Sequence, residues 1–119
     1  MSKFKFKVTD NTTIDDVECE LEKLKNLDVQ EMPLNHILKI TDFLSVEKLR
    51  GRAGGTGSSV RFRHSYLEHY KHYHQGYFKI DLIHTGKAER IIGKRDFVRY
   101  LLPPLLEIIK IKREKGEMK

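Results

Sequence analysis

Gly51-Arg-Ala-Gly-Gly-Thr-Gly-Ser-Ser-Val-Arg-Phe-Arg-His64 gathers four glycines, two serines, three arginines and a histidine without one acidic residue. Glycine lets a backbone approach a bulky partner and offer its N–H groups to an anion. Arginine adds planar, charge-assisted donors that fit phosphate. The chemistry is anion binding, with a nucleic-acid backbone as the natural ligand. Arg50, Arg52 and Arg61 flank the loop and would help its N–H groups hold phosphates. The stretch is neither a P-loop, because no Gly-Lys-Ser/Thr ends it, nor a dinucleotide fingerprint, because no βαβ unit frames it. A flexible hairpin approach with nothing bound is the plain alternative.

Five of the six histidines, His64, His69, His72, His74 and His84, fall within 21 residues. Histidine exchanges protons near neutral pH, so His64 and His84, which end two expected strands, are the candidate acid–base groups. His64 shares the face of Val60 and Phe62, which equally suits a histidine satisfied at the edge of the core. His69-Tyr-Lys-His72-Tyr-His74 has no cysteine partner and no acid nearby to complete a metal site, so no metal and no cofactor is assigned. Tyr66, Tyr70, Tyr73 and Tyr77 alternate with basic residues. They suit rings stacked on unpaired bases and suit ordinary cross-strand pairs equally well. Cys19, the single cysteine, lies in an acidic stretch with no cation beside it in the sequence to activate it, which makes it a poor nucleophile.

These residues need elements to position them. The chain has 119 residues, enough for one small domain with an appendage, and its hydrophobic fraction of 39% supports a modest core without tryptophan. Lys3-Phe-Lys-Phe-Lys-Val8 alternates as a half-buried edge strand. Thr13 and Asp16 form a capping box, and Ile14, Val17, Leu21 and Leu24 make one helical stripe ending near Leu27. Glu31-Met-Pro33 breaks that pattern, which divides the chain into an appendage at 1–32, an α+β domain at 33–112 and a charged tail at 113–119. Leu34, Ile37, Leu38 and Thr41 start a second helix behind Pro33. Residues 46–50 fit a last helical turn or a strand. Strands follow at 59–65 and 77–84, with 66–74 extending the first or forming a third, and a short extended piece at Ile91-Ile92. From Gly93 the pattern is helical, with a kink or restart at Pro103-Pro104.

The fold class is therefore α+β: a small antiparallel sheet with helices packed on one face. The other face is open and would carry Ser59, Arg61, Arg63, Lys79 and Asp81. Net charge is +6, unevenly spread. Residues 10–31 hold eight acids against two lysines, whereas 48–113 hold fifteen Lys/Arg against five Asp/Glu. Such asymmetry points to nucleic acid. No apolar run approaches the roughly 20 residues of a membrane span and the N-terminus lacks a signal-peptide pattern, so a cytoplasmic protein without membrane contact is expected.

The stretch from about Pro33 to Ile111 resembles the HicA (YcfA-like) toxins of bacterial toxin–antitoxin modules. The resemblance rests on a leading helix, Gly57-Ser58 opening a strand, Val60-Arg-Phe-Arg-His64, a strand ending at His84, the Gly86-Lys87-Ala-Glu89 turn, and a closing helix with Phe97, Leu101 and Leu105. It implies a double-stranded-RNA-binding-like α-β-β-β-α fold, here with an N-terminal strand–helix extension. It further implies mRNA cleavage, RNA as ligand and a HicB-like antitoxin as partner. The family's catalytic histidine follows Gly-Ser directly, where this chain has Ser59, which cannot shuttle protons at neutral pH. Either His64 or His84 replaces it in an endoribonuclease, or the protein binds RNA without cutting it. The candidate nucleic-acid contacts are Arg50, Arg52, Gly57, Ser58, Ser59, Arg61, Arg63, Lys79 and Lys87. Two other readings stand beside this one: a regulatory module docking an acidic protein partner, and a DNA-binding accessory factor. The acidic residues 10–31, extra to the family's compact form, are expected to fold over the basic face as a built-in competitor for RNA.

Overall fold

The computed structural model describes residues 6–49, 59–70, 73–83 and 90–116. Thr13 starts helix α1 (Ile14–Asn26) as expected: its hydroxyl accepts from the Asp16 N–H at 3.2 Å, and its own N–H donates to the Asp16 carboxylate at 2.9 Å. Strand β1 (Glu31–Pro33) leads directly into helix α2 (Leu34–Phe43), with Pro33 as the N-cap residue. Strands β2 (Glu47–Leu49), β3 (Ser59–Arg63), β4 (Tyr77–Ile83) and β5 (Ile91–Gly93) complete an antiparallel sheet in the order β1-β5-β4-β3-β2. A helical turn at Lys94–Asp96, a π-helical segment at Phe97–Leu101 and helix α3 (Leu102–Glu114) close the chain. The molecule is an α+β protein, as its patterning indicated.

Alternation along the strands decides what the sheet presents. Val60, Phe62, Phe78, Ile80 and Ile92 point into one core with Ile14, Val17, Leu21 and Leu24 of α1, Leu34, Ile37 and Ile40 of α2, and Leu105, Ile108 and Ile109 of α3. Phe62 and Phe78 are cross-strand partners whose rings stack at 5.4 Å. The break placed after residue 32 falls inside β1, where Met32 pairs with Ile92, and both are fully buried. The described residues 6–32 therefore contribute α1 and most of β1 to the core of 33–112.

Three local expectations are corrected. Residues 6–9 form no strand: Thr9 and Thr12 close a turn on each other, Phe6 packs edge-on to the His36 ring at 6.5 Å, and Val8 is exposed. The rest of that expected strand, 3–5, lies outside the described residues. Residues 65–67 and 74–76 make 3-10 turns instead of extending β3. Leu67 is pulled into the core there, while Gln75 (φ 55°) and Gly76 (φ 84°) reverse the chain so that the Gly76 carbonyl accepts from the His64 N–H at 3.1 Å. Finally, α1 does not cover the open sheet face. It packs against α3 on the core side, where Arg113 holds Asp15 and Glu18, so its acids cannot screen the strand arginines.

The disruption expected at Pro103-Pro104 takes the form of the wide π turn. Neither proline has an N–H to return to the preceding turn, and the Leu102 N–H bonds to the Phe97 carbonyl, five residues back. No helix among the described residues is long and apolar enough to cross a membrane.

Candidate nucleic-acid interface

The register of β2, β3 and β4 brings the strand cations together. Arg61 lies opposite Lys79, Arg63 opposite Tyr77, and Ser59 opposite Asp81. Opposed residues of an antiparallel pair share a face, and here it is the face turned away from the helices. Arg61, Lys79 and Asp81 are exposed, while Ser59, Arg63 and Tyr77 are half-exposed. The guanidinium carbons of Arg61 and Arg63 stand 5.5 and 5.7 Å from the Tyr77 ring centre. Cation–π contact at this distance orders both guanidiniums without neutralising them.

The two arginines differ in their commitments. Arg63 binds the Glu68 carboxylate at 2.5 Å, lies 4.0 Å from Glu47, and donates from Nε to the Gln75 carbonyl. Among the described residues, Arg61 and Lys79 make no ion pair. Their charge is therefore available to an incoming anion, whereas Arg63 must share with Glu68. Farther along the same face lies an apolar patch, with the exposed Glu31 at its border: Ile83 opposes Ile91, and Pro33 opposes Ile91 from the far side. Ile83 is 38% exposed.

His64 is not on this surface. It points to the core side, is only 8% exposed, and its Nδ1 accepts from the Tyr66 N–H at 3.1 Å, capping the 3-10 turn that follows. The Tyr66 ring packs against it at 4.6 Å. This is the satisfied core-edge histidine that the Val60–Phe62 pattern allowed, and it stands on the opposite side of the sheet from Arg61 and Lys79. The other catalytic candidate, His84, and the contacts assigned to Arg50, Arg52, Gly57, Ser58 and Lys87 lie outside the described residues. Among the described residues, no group of three or more His, Cys, Asp and Glu side chains is placed to hold a metal.

Of the four tyrosines, only Tyr77 joins the open face. Tyr70 donates its hydroxyl to Glu107 of α3, and Tyr66 and Tyr73 pack against the core. That hydrogen bond, with burial second, raises the Tyr70 phenol above its ordinary range; burial, then the Glu107 charge, does the same for Tyr73. Sequence reasoning passed over Arg99 and Tyr100, which fall between the apolar positions of a helical stripe. The π turn brings both beside β4, and Tyr100 is 48% exposed. The adjacent proline pair was the signal that the helix is irregular there.

No family model matches the chain, and neither does any curated protein or solved structure.

Proposed function

We propose that this protein binds RNA through the uncovered face of its sheet, with Arg61 and Lys79 on backbone phosphates and Tyr77 as a stacking surface. The observation that carries the reading is the cross-strand pair of Arg61 and Lys79, exposed and without carboxylate partners among the described residues, beside a ring already engaged by two guanidiniums. An antiparallel sheet covered on one side by helices and presenting cations with an aromatic on the other is a known means of holding RNA. The chain's net charge of +6 supplies the sequence-independent part of the affinity. The resemblance to HicA toxins supports the same ligand class. The role assigned is binding and not cleavage, because His64, the acid–base candidate that can be placed, is buried and engaged by a backbone N–H.

The apolar patch around Pro33, Ile83 and Ile91 favours a second reading: a protein seats there. A HicB-like antitoxin is the partner the resemblance implies. The two readings separate in one titration. RNA binding that weakens with salt and is lost in Arg61→Ala/Lys79→Ala supports the first. Affinity that ignores both substitutions and the salt concentration removes it.

A further inference from the structure

β5 pairs with β4 only at Leu82 and Ile83, so residues 77–81 have a strand neighbour on the β3 side alone among the described residues. The π turn and the start of α3 come alongside that open edge and leave a cleft of about 390 Å³. Three tyrosines line it, Tyr73, Tyr77 and Tyr100, together with Lys79 and Arg99, while Pro103 and Pro104 form part of its wall. The volume lies within the roughly 300–1,000 Å³ of small-molecule sites. Its lining holds two cations and no carboxylate.

We infer that this cleft takes one unpaired base of the bound nucleic acid, so that the RNA is single-stranded where it leaves the sheet. The inference rests on the RNA reading above and adds the form of the ligand. Flat π faces beside cations suit a nucleotide, whose base stacks while its phosphate is neutralised. The backbone contributes an acceptor as well. Pro103 and Pro104 are the residues four and five beyond Arg99, and neither has an N–H, so the Arg99 carbonyl lacks both an α- and a π-helical donor. It can accept from the exocyclic amine of a base.

Continuity argues for a strand and against a free nucleotide. Lys79 belongs at once to the cleft and to the basic face opposite Arg61. Arg99 lines both the cleft and a second groove of about 630 Å³, where Lys25, Lys94 and Arg95 also stand and no carboxylate does. Cations thus run from Arg61 through Lys79 and Arg99 to Arg95, from the sheet face around the π turn. A flexible single strand can follow that path, while a stiff duplex stays on one side of it.

The test measures equilibrium binding of a labelled short single-stranded RNA and of its duplex to wild type, Tyr100→Ala, Tyr100→Phe and Arg61→Ala/Lys79→Ala. The substituted side chains are exposed, and circular dichroism confirms the fold of each variant. Base–aromatic stacking is worth about 1–3 kcal/mol per base, so Tyr100→Ala weakens single-strand binding by roughly 5- to 150-fold. Tyr100→Phe keeps the ring and the affinity, and duplex binding by Tyr100→Ala equals that of wild type. In wild type, a 2-aminopurine placed in the strand is quenched on binding, and in Tyr100→Ala the quenching is lost. Single-strand affinity and quenching that survive Tyr100→Ala, or an equal loss for duplex, overturn the cleft assignment. The RNA reading then still stands if Arg61→Ala/Lys79→Ala abolishes binding. A wild-type protein that binds neither RNA form defeats the RNA reading itself, and the cleft assignment with it.

Discussion

Replacing Arg61 and Lys79 together by alanine is expected to change the salt dependence of RNA binding, and the size of the change follows from the geometry. Both side chains are exposed and lie opposite each other on neighbouring strands, with no ion pair to break among the described residues. Their loss therefore removes two phosphate contacts and leaves the fold within about 0.5 kcal/mol of its stability. Each contact contributes a slope of roughly 0.7 in log affinity against log salt for a single strand. Two contacts lower the slope by about 1.4, so the affinity advantage of wild type shrinks about 7-fold between roughly 50 and 200 mM salt. Glu68→Gln supplies a control of opposite sign. It releases Arg63 from its carboxylate, so it is expected to raise affinity and to steepen the slope by up to about 0.7. Fluorescence anisotropy of a labelled RNA over a salt series measures all three proteins. Parallel wild-type and double-variant lines would show that these cations never meet phosphate, and the proposed interface would fall.

Glu20 and His36 form a 2.7 Å pair, 7% and 3% exposed, that joins α1 to α2; Glu20→Ala is expected to cost about 3–5 kcal/mol in urea unfolding, and Glu20→Leu/His36→Phe to recover most of that. Gly76→Ala is expected to cost about 2 kcal/mol or more, because φ is +84° and the new Cβ would stand 2.5 Å from the His64 carbonyl oxygen. Gly116→Ala, with φ +74° and nothing within 4 Å, is expected to cost only about 1 kcal/mol, and equal losses in the two would contradict the account of the 64–76 turn. The hydrogen bond to Glu107 raises the Tyr70 pKa, so the folded state keeps its phenolic proton longer than the unfolded chain does. Its contribution is complete below about pH 10 and is lost as pH rises through the folded-state value. Thermal melts across that range should show stability declining, and Tyr70→Phe should decline less.

What was legible in the sequence was whatever one periodicity fixes. The Thr13–Asp16 capping box, the α1 stripe and the alternation of Val60, Phe62, Phe78 and Ile80 each specify an element and its buried face without knowledge of any neighbour. That alternation also put Arg61, Arg63 and Lys79 on one side, which is why much of the candidate surface could be read in advance. What stayed hidden depends on contacts across the chain. Lys3–Val8 has strand periodicity, but 6–9 turn away through Thr9 and Thr12. The tyrosines at 66, 70 and 73 look like a hairpin, but the His64 cap and the left-handed Gln75-Gly76 pair fold them back toward α3. β1 is too short to show any period, and its partner β5 lies about 60 residues away.

The charge asymmetry of the sequence acquires a different meaning in the fold. An acidic front end followed by a basic segment suggests two parts attracted face to face. The attraction is present, but it runs along the helical side: Arg113 reaches back to Asp15 and Glu18, and Glu20 is buried against His36. Three of the eight acids in 10–31 are thereby committed to cations or to histidine on the core side, and Asp16 to the helix cap. None of those four is available to neutralise Arg61 or Lys79. Self-association of charge inside the helical layer thus keeps those four acids from Arg61 and Lys79, while Arg63 is held by Glu68 instead. A variant that breaks it, Arg113→Ala, is expected to loosen α1 by about 1 kcal/mol or less and to leave RNA affinity almost unchanged. A marked gain or loss of RNA affinity in that variant would mean that the acids of α1 do reach the sheet face, and that the two charge layers are not independent.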